Sequence, residues 1–201
     1  MSISLLLEMA MSDPEREALV SNGTRLTVAE LSNLADGGAG VIVASGAASV
    51  AYVGTGGAML PLLIFSSARA ARTFTPLNYR LSSEGLRELI DRLPEPLVVF
   101  DDEYRDMVEG AAVKTVSSAD FVAAARIAEP AAEFADPDDV AIVLFTSGTT
   151  SRPKAVELSH NNLTSYVMGT VEFASAEPTD AVLICVPPYH IAGVSAALSN
   201  L

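Results

Sequence analysis

The chain has 201 residues, half of them hydrophobic, with 25 acidic against 12 basic side chains and a formal net charge of −13. This acidic excess disfavours nucleic acids and anionic membranes as partners, and it requires that any nucleotide be met by a locally positive group. The single cysteine, Cys185, excludes an internal disulfide; because it lies in the apolar run VLICV, we expect it to be buried in a strand.

The N-terminal segment MSISLLLEMAMSDPERE does not have the features of a signal peptide, because it lacks a basic leader and carries Glu8 inside its apolar stretch. The longest apolar segment, 54–68, is too short to span a bilayer. These features predict a cytoplasmic protein without a transmembrane segment. The length suits one sizeable domain.

Helical and strand patterns alternate along the chain. Thr27 and Glu30 have the spacing of a capping box, and Ser82 caps a later helix whose apolar residues keep helical spacing. Further helices are predicted after Gly57, over 121–127 and from Ser159. Apolar runs that predict strands lie at 50–54, 97–100, 141–145, 155–158 and 181–186. Because these runs are apolar throughout, they predict an α/β fold with a mainly parallel sheet and helices on both faces.

The C-terminal residues follow a helical pattern that stops abruptly. The segment GVSAALSN begins like a helix, and the chain ends at Leu201 without a cap. Domains do not normally end inside a starting helix, so we expect an incomplete domain.

A loop rich in hydroxyl groups, within LFTSGTTSRPKAV at 144–156, separates two of the predicted strands. Its hydroxyls, and the backbone N–H groups that Gly148 frees, can donate hydrogen bonds to phosphate oxygens. Lys154 adds a mobile positive charge that can follow a leaving pyrophosphate. The alternative is a plain surface turn, which such a composition also forms. We predict that six residues bind the phosphate groups of a triphosphate: Thr146, Ser147, Gly148, Thr149, Thr150 and Lys154.

A Walker A loop is a further alternative for this segment. Counted from Gly148, the pattern G-x-x-x-x-G-K-[ST] puts Lys154 at its lysine, but Pro153 at the second glycine and Ala155 at the hydroxyl residue. The second glycine lets the backbone curl around phosphate, and the hydroxyl binds Mg²⁺. Both are missing and a strand follows instead of a helix, so this alternative is disfavoured.

The segment TSGTTSRPKAV resembles the signature TSGTTGxPKGV of the AMP-binding superfamily, which includes acyl-CoA synthetases, luciferases and the adenylation domains of peptide synthetases. It departs from that signature at Ser151 and Ala155, where the family usually has glycine. Segments similar to family members also occur at 24–31, 74–90, 135–150 and 186–193, so the resemblance covers nearly the whole chain.

The resemblance implies the N-terminal part of a fatty-acid or other acyl-CoA synthetase. In this family a carboxylate attacks the α-phosphate of ATP-Mg²⁺ to give acyl-AMP and pyrophosphate, and coenzyme A then takes the acyl group. ATP, Mg²⁺ and coenzyme A are thus implied for the full-length enzyme, with none bound tightly. In VPPYHIAG, the resemblance places Tyr189 and His190 in the acyl-substrate pocket. A packed or capping role is the alternative for His190, and a core position is the alternative for Tyr189.

The resemblance also limits what the chain is expected to do alone. It implies that 1–201 is the N-terminal portion of an AMP-binding domain, with the rest of that domain and a small C-terminal domain missing. We then expect no complete catalytic set, no metal site and no acid activation by these residues alone. The alternative is a non-catalytic truncated relative acting as an interaction or dimerisation module. The exposed apolar face of an incomplete domain would favour homo-oligomers.

Overall fold

Strands and helices alternate along the computed structural model, which describes residues 1–146, 153–173, 175–177 and 180–201. In chain order the elements are α1 (Ser4–Ala10), β1 (Glu17–Ser21), β2 (Thr24–Thr27), α2 (Val28–Ser45), β3 (Ser49–Val53), α3 (Met59–Arg69), β4 (Thr73–Leu77), α4 (Ser83–Ile90), β5 (Pro96–Phe100), α5 (Arg105–Val108), β6 (Lys114–Ser117), α6 (Ser118–Ala125), β7 (Val140–Thr146), β8 (Lys154–Ser159), α7 (His160–Thr170) and α8 (Ile191–Ser199).

A six-stranded sheet runs in the order β6-β5-β3-β4-β7-β8, beside a separate β1–β2 hairpin. Four of its five strand pairs are parallel, and only β7 and β8 pair antiparallel. The predicted α/β class with a mainly parallel sheet is therefore confirmed. The one antiparallel pair is the hairpin that carries the hydroxyl-rich loop.

Both faces of the sheet are covered, which explains why its central strands are apolar throughout. Every residue of β3 and of β5 is buried. Val50 and Tyr52 point to one face, where α2, α3 and α6 pack, and Ala51 and Val53 point to the other, where α4 and α5 pack. The prediction of helices on both faces is confirmed.

The predicted helix starts are confirmed by their hydrogen bonds. The Thr27 hydroxyl accepts from the Glu30 N–H at 3.2 Å, and the Glu30 carboxylate accepts from the Thr27 N–H at 2.9 Å. Ser82 caps α4 by accepting from the Gly85 N–H at 3.1 Å. Ser159 caps α7 in a second capping box with Asn162. No helix among the described residues has the length and apolarity to cross a membrane.

The prediction of a buried strand over 181–186 is wrong, and so is the predicted burial of Cys185. No strand forms among these residues, Leu183 is 86% exposed, and Cys185 is exposed. An apolar run becomes a strand only where its backbone pairs with a neighbouring strand. The open edges of the six-stranded sheet are β6 and β8, and neither pairs with the described residues 181–186.

Candidate functional site

The parallel strands end at one edge of the sheet, and most of the predicted functional residues follow those ends. The chain passes from β3 to its neighbour β4 through α3, which lies on one face of the sheet. It then passes from β4 to β5, the neighbour on the other side of β3, through α4 on the opposite face. The direction of winding therefore reverses at β3. In such sheets the crevice beyond the carboxyl ends of the strands at this reversal is the usual place for ligands.

Thr146 and Lys154 are brought together by the β7–β8 hairpin. They are directly opposite each other in the antiparallel register, and the Thr146 hydroxyl donates to the Lys154 carbonyl at 3.4 Å. Both residues are exposed, and no ion pair joins Lys154 to another described residue. Four further predicted phosphate-binding residues, Ser147, Gly148, Thr149 and Thr150, lie outside the described residues. An exposed ammonium at the hairpin end can attract a phosphate.

Arg92 is a second cation at this hairpin, and sequence reasoning missed it. It follows α4, and its Nη1 donates to the Pro153 carbonyl at 2.9 Å. Its guanidinium carbon also lies 4.8 Å from the centre of the Phe145 ring. The two contacts lie on either side of the hydroxyl-rich loop. Because Arg92 and Pro153 are 61 residues apart, no local pattern could have revealed this contact.

Tyr189 and His190 lie at the start of α8, against the carboxyl edge of the sheet. Tyr189 is 8% exposed, and its ring meets Tyr79 edge-on at a centroid distance of 5.5 Å. His190 is exposed, with its ring 4.7 Å from that of Tyr189. No hydrogen bond or ring contact among the described residues joins this pair to Thr146 or Lys154. Within the predicted pocket pair, His190 is thus the residue open to a ligand.

Asp101 organises the Gly-rich turn between β3 and α3. Its carboxylate accepts from the Tyr52 hydroxyl at 2.9 Å, from the Thr55 N–H at 2.9 Å and from the Ser118 hydroxyl at 2.6 Å. The Gly56 N–H in turn donates to the Tyr52 oxygen at 3.1 Å. Burial, with the Asp101 charge adding to it, raises the pKa of Tyr52, so its hydroxyl remains a donor.

This arrangement argues against phosphate binding at the Gly-rich turn. A Gly-rich turn that leads into a helix otherwise presents free N–H groups to anions. Here the Thr55 N–H and the Gly56 N–H are already bonded within the chain, and the Asp101 carboxylate would repel a phosphate. A Cβ at Gly54 would lie 2.3 Å from Asp101 Oδ2, so the turn requires glycine there.

His160, the other histidine, has a structural position. It is 2% exposed, and its Nδ1 accepts from the Ile3 N–H at 3.3 Å, which ties α7 to the N-terminal segment. Burial lowers the pKa of His160, although the nearby Asp139 carboxylate opposes that shift. A neutral, buried imidazole that accepts a backbone hydrogen bond is a packing residue.

Comparison with known proteins finds similarity over nearly the whole chain. Residues 7–200 match the family described as AMP-binding enzyme. The chain is 28% identical to a feruloyl-CoA synthase of Amycolatopsis sp over 191 residues, covering 92% of this chain and 38% of the relative. It is 26% identical to the fatty acid–[acyl-carrier-protein] ligase ScoC of Streptomyces coeruleorubidus over 206 residues, covering 95% and 40%. The chain thus spans about two fifths of the length of these curated relatives.

Similarity over the whole chain is also found with a solved structure. ATP-bound MatB from Rhodopseudomonas palustris superposes with a TM-score of 0.82 at 29% identity, over 100% of this chain and 44% of that one. The family match includes the hairpin with Thr146 and Lys154 and also the segment with Tyr189 and His190, since all lie within 7–200.

Proposed function

Because the chain belongs to the AMP-binding enzyme family, we propose that it contributes the phosphate-binding part of an enzyme that activates a carboxylic acid with ATP and transfers the acyl group to coenzyme A. The observation that carries the proposal is the β7–β8 hairpin, where the segment TSGTTSRPKAV sets Thr146 opposite an exposed Lys154. The feruloyl-CoA synthase among its relatives supports coenzyme A as the acceptor.

Lys154 is assigned to the triphosphate. In the proposed first step a carboxylate oxygen attacks the α-phosphorus of ATP, and pyrophosphate leaves with the electrons of the bond that breaks. Negative charge then grows on the leaving phosphates, and the Lys154 ammonium at the start of β8 would offset it. The Thr146 hydroxyl and the loop residues Ser147, Gly148, Thr149 and Thr150 would donate hydrogen bonds to the phosphate oxygens.

Mg²⁺ is assigned no residue of this chain. Among the described residues, no three or more His, Cys, Asp or Glu side chains are grouped so that they could hold a metal ion. Magnesium is commonly held by substrate phosphates with only one or two carboxylates, so we expect it to enter with ATP.

The acid is proposed to be hydrophobic, either a fatty acid or another apolar carboxylic acid. Support comes from the aromatic cluster near the sheet edge, where the buried Tyr189 packs on Tyr79 and the exposed His190 lies beside it. The names of the two curated relatives point to different acids, ferulic and fatty, so they support only the broader class. A purely non-catalytic interaction module is not favoured, because the loop lysine and its hydroxyl neighbours are all retained.

Acid-dependent exchange of pyrophosphate into ATP tests this function, measured on the longest natural polypeptide that contains residues 1–201. We expect exchange with hydrophobic acids, and a loss of about tenfold or more in Lys154→Ala, because a charge near the leaving group is removed. Lys114→Ala is the matched control, since Lys114 is the only other lysine and lies on β6. Absence of exchange with every acid, or full exchange in Lys154→Ala, would contradict the proposal.

A further inference from the structure

The Arg92 side chain contacts Phe145 and Pro153, which lie on either side of the hydroxyl-rich loop. On the upstream side its guanidinium carbon lies 4.8 Å from the Phe145 ring centre; on the downstream side Nη1 donates to the Pro153 carbonyl at 2.9 Å. Arg92 itself belongs to the turn that ends α4, where its N–H donates to the Leu89 carbonyl at 3.2 Å. One side chain from a separate element thus holds both flanks of the loop.

The chemistry of these contacts requires an arginine. A guanidinium can place its face over an aromatic ring while its N–H groups donate hydrogen bonds, whereas an ammonium lacks the planar surface. Phe145 is a suitable anchor because it packs against the core cluster under α4 and α5. Arg92 therefore ties the Pro153 backbone to a side chain that is already fixed.

The Arg92 contact lies at the end of the hairpin ladder, whose last backbone pair is Thr146 and Lys154. The Thr146 hydroxyl reaches the Lys154 carbonyl only at 3.4 Å, close to the outer limit for a hydrogen bond. Pro153, the residue before Lys154, has no N–H to donate to a strand partner. The bond from Arg92 to the Pro153 carbonyl is shorter and charge-assisted.

We propose that Arg92 is a positioning residue for Lys154: by joining Pro153 to Phe145 it holds the start of β8 in register with the end of β7. The inference rests on the proposed function, in which Lys154 contacts the phosphates of ATP. Arg92 acts through the hairpin backbone and is not assigned a contact with ATP.

Three variants of the 201-residue chain separate this role from a change in charge. Arg92→Gln removes the charge and most of the stacking surface, and Arg92→Lys keeps the charge but loses the planar group. The control is Arg126→Gln, which makes the same charge change at an exposed residue after α6, on the opposite face of the sheet from α4. Amide hydrogen exchange across β8 and binding of ATP-Mg²⁺ are measured for each, and binding of ATP-Mg²⁺ is also measured for Lys154→Ala.

In Arg92→Gln we expect amide exchange in β8 to rise about fivefold and the dissociation constant for ATP-Mg²⁺ to rise by a similar factor, since a stacked, charged contact of this size is lost. Arg92→Lys should fall between this variant and the parent chain, and Arg126→Gln should match the parent. Exchange in β3 and β5 should not change, because global stability is not affected.

The outcomes distinguish this inference from the proposed function. Unchanged exchange across β8 in Arg92→Gln overturns the positioning role. So does unchanged ATP-Mg²⁺ affinity in Arg92→Gln when Lys154→Ala binds more weakly, and in that case the proposed function stands. If Lys154→Ala leaves the affinity for ATP-Mg²⁺ unchanged, the proposed function fails and the positioning role fails with it.

Discussion

Single residues of one chemical type take opposite roles in this chain, and burial decides which. Of its two histidines, His160 is buried and accepts a backbone hydrogen bond, whereas His190 is exposed beside Tyr189. Position along the sequence does not decide between these roles: His160 follows a helix cap, and His190 lies in the segment Pro-Pro-Tyr-His. The electrostatic consequence follows from the structure, because only the fold shows that His160 is removed from water.

The pH dependence of stability tests the burial of His160. Its pKa is lowered in the folded chain, mainly by burial, so between that value and about 6.5 the unfolded chain binds the proton more readily. His160 therefore contributes stability that is complete above about pH 6.5 and is lost as the pH falls through the folded pKa. We expect the free energy of unfolding, measured with urea, to fall on acidification from about pH 7.5 to about pH 5.5.

The variant His160→Asn, which keeps a hydrogen-bond acceptor, should show a smaller fall than the parent chain over the same range. The control is His190→Asn, which makes the same substitution at an exposed imidazole. Carboxylates such as Asp139, which faces His160, are present in all three chains. An equal fall in His160→Asn and the parent would show that His160 is not responsible.

At the scale of helices and strands, features set by nearby residues were predictable. The capping bonds of Thr27 and Glu30 span three residues, and so does the bond between Ser82 and Gly85, so the sequence contains both partners. Strand β4 was not predicted, because Thr73, Thr75 and Pro76 interrupt its apolar pattern. It forms because β3 pairs with it at five successive positions, which is tertiary information.

In the candidate site, too, features set by nearby residues were predictable and contacts between distant residues were not. The sequence supplied Thr146 and Lys154 together with strands on either side of them, and the hairpin register then set them opposite each other. Arg92 and Asp101 could not be found in this way, since their partners Pro153 and Thr55 are 61 and 46 residues distant. Both residues act on backbone groups, for which no sequence motif exists.

The exposure of 181–186 is open to a direct chemical test. Cys185 is exposed in the folded chain, so we expect it to react stoichiometrically with a thiol reagent such as DTNB in the absence of denaturant. The rate should be within about threefold of the rate in urea, because no packing has to open first. A thiol that reacts only after unfolding would mean that the segment is covered, and would restore the strand prediction.

At the scale of the whole molecule, the charge distribution limits how strongly a nucleotide can bind. A formal net charge of −13 repels ATP at long range, and salt screens that repulsion beyond about 8 Å at physiological ionic strength. Attraction is therefore left to the hairpin end, where Lys154 is exposed. We expect residues 1–201 alone to bind ATP-Mg²⁺ with a dissociation constant on the order of 1 mM, without activating an acid.

The central claim is that ATP-Mg²⁺ contacts this chain at the end of the β7–β8 hairpin, and an NMR titration of the isotope-labelled 201-residue chain tests it most directly. We predict shifts centred on Thr146 and Lys154, with Lys154→Ala weakening the binding about tenfold and Lys114→Ala leaving it unchanged. The claim would be contradicted by shifts confined to the Gly-rich turn at 54–58, by unchanged affinity in Lys154→Ala, or by a titration that perturbs no residue of the hairpin.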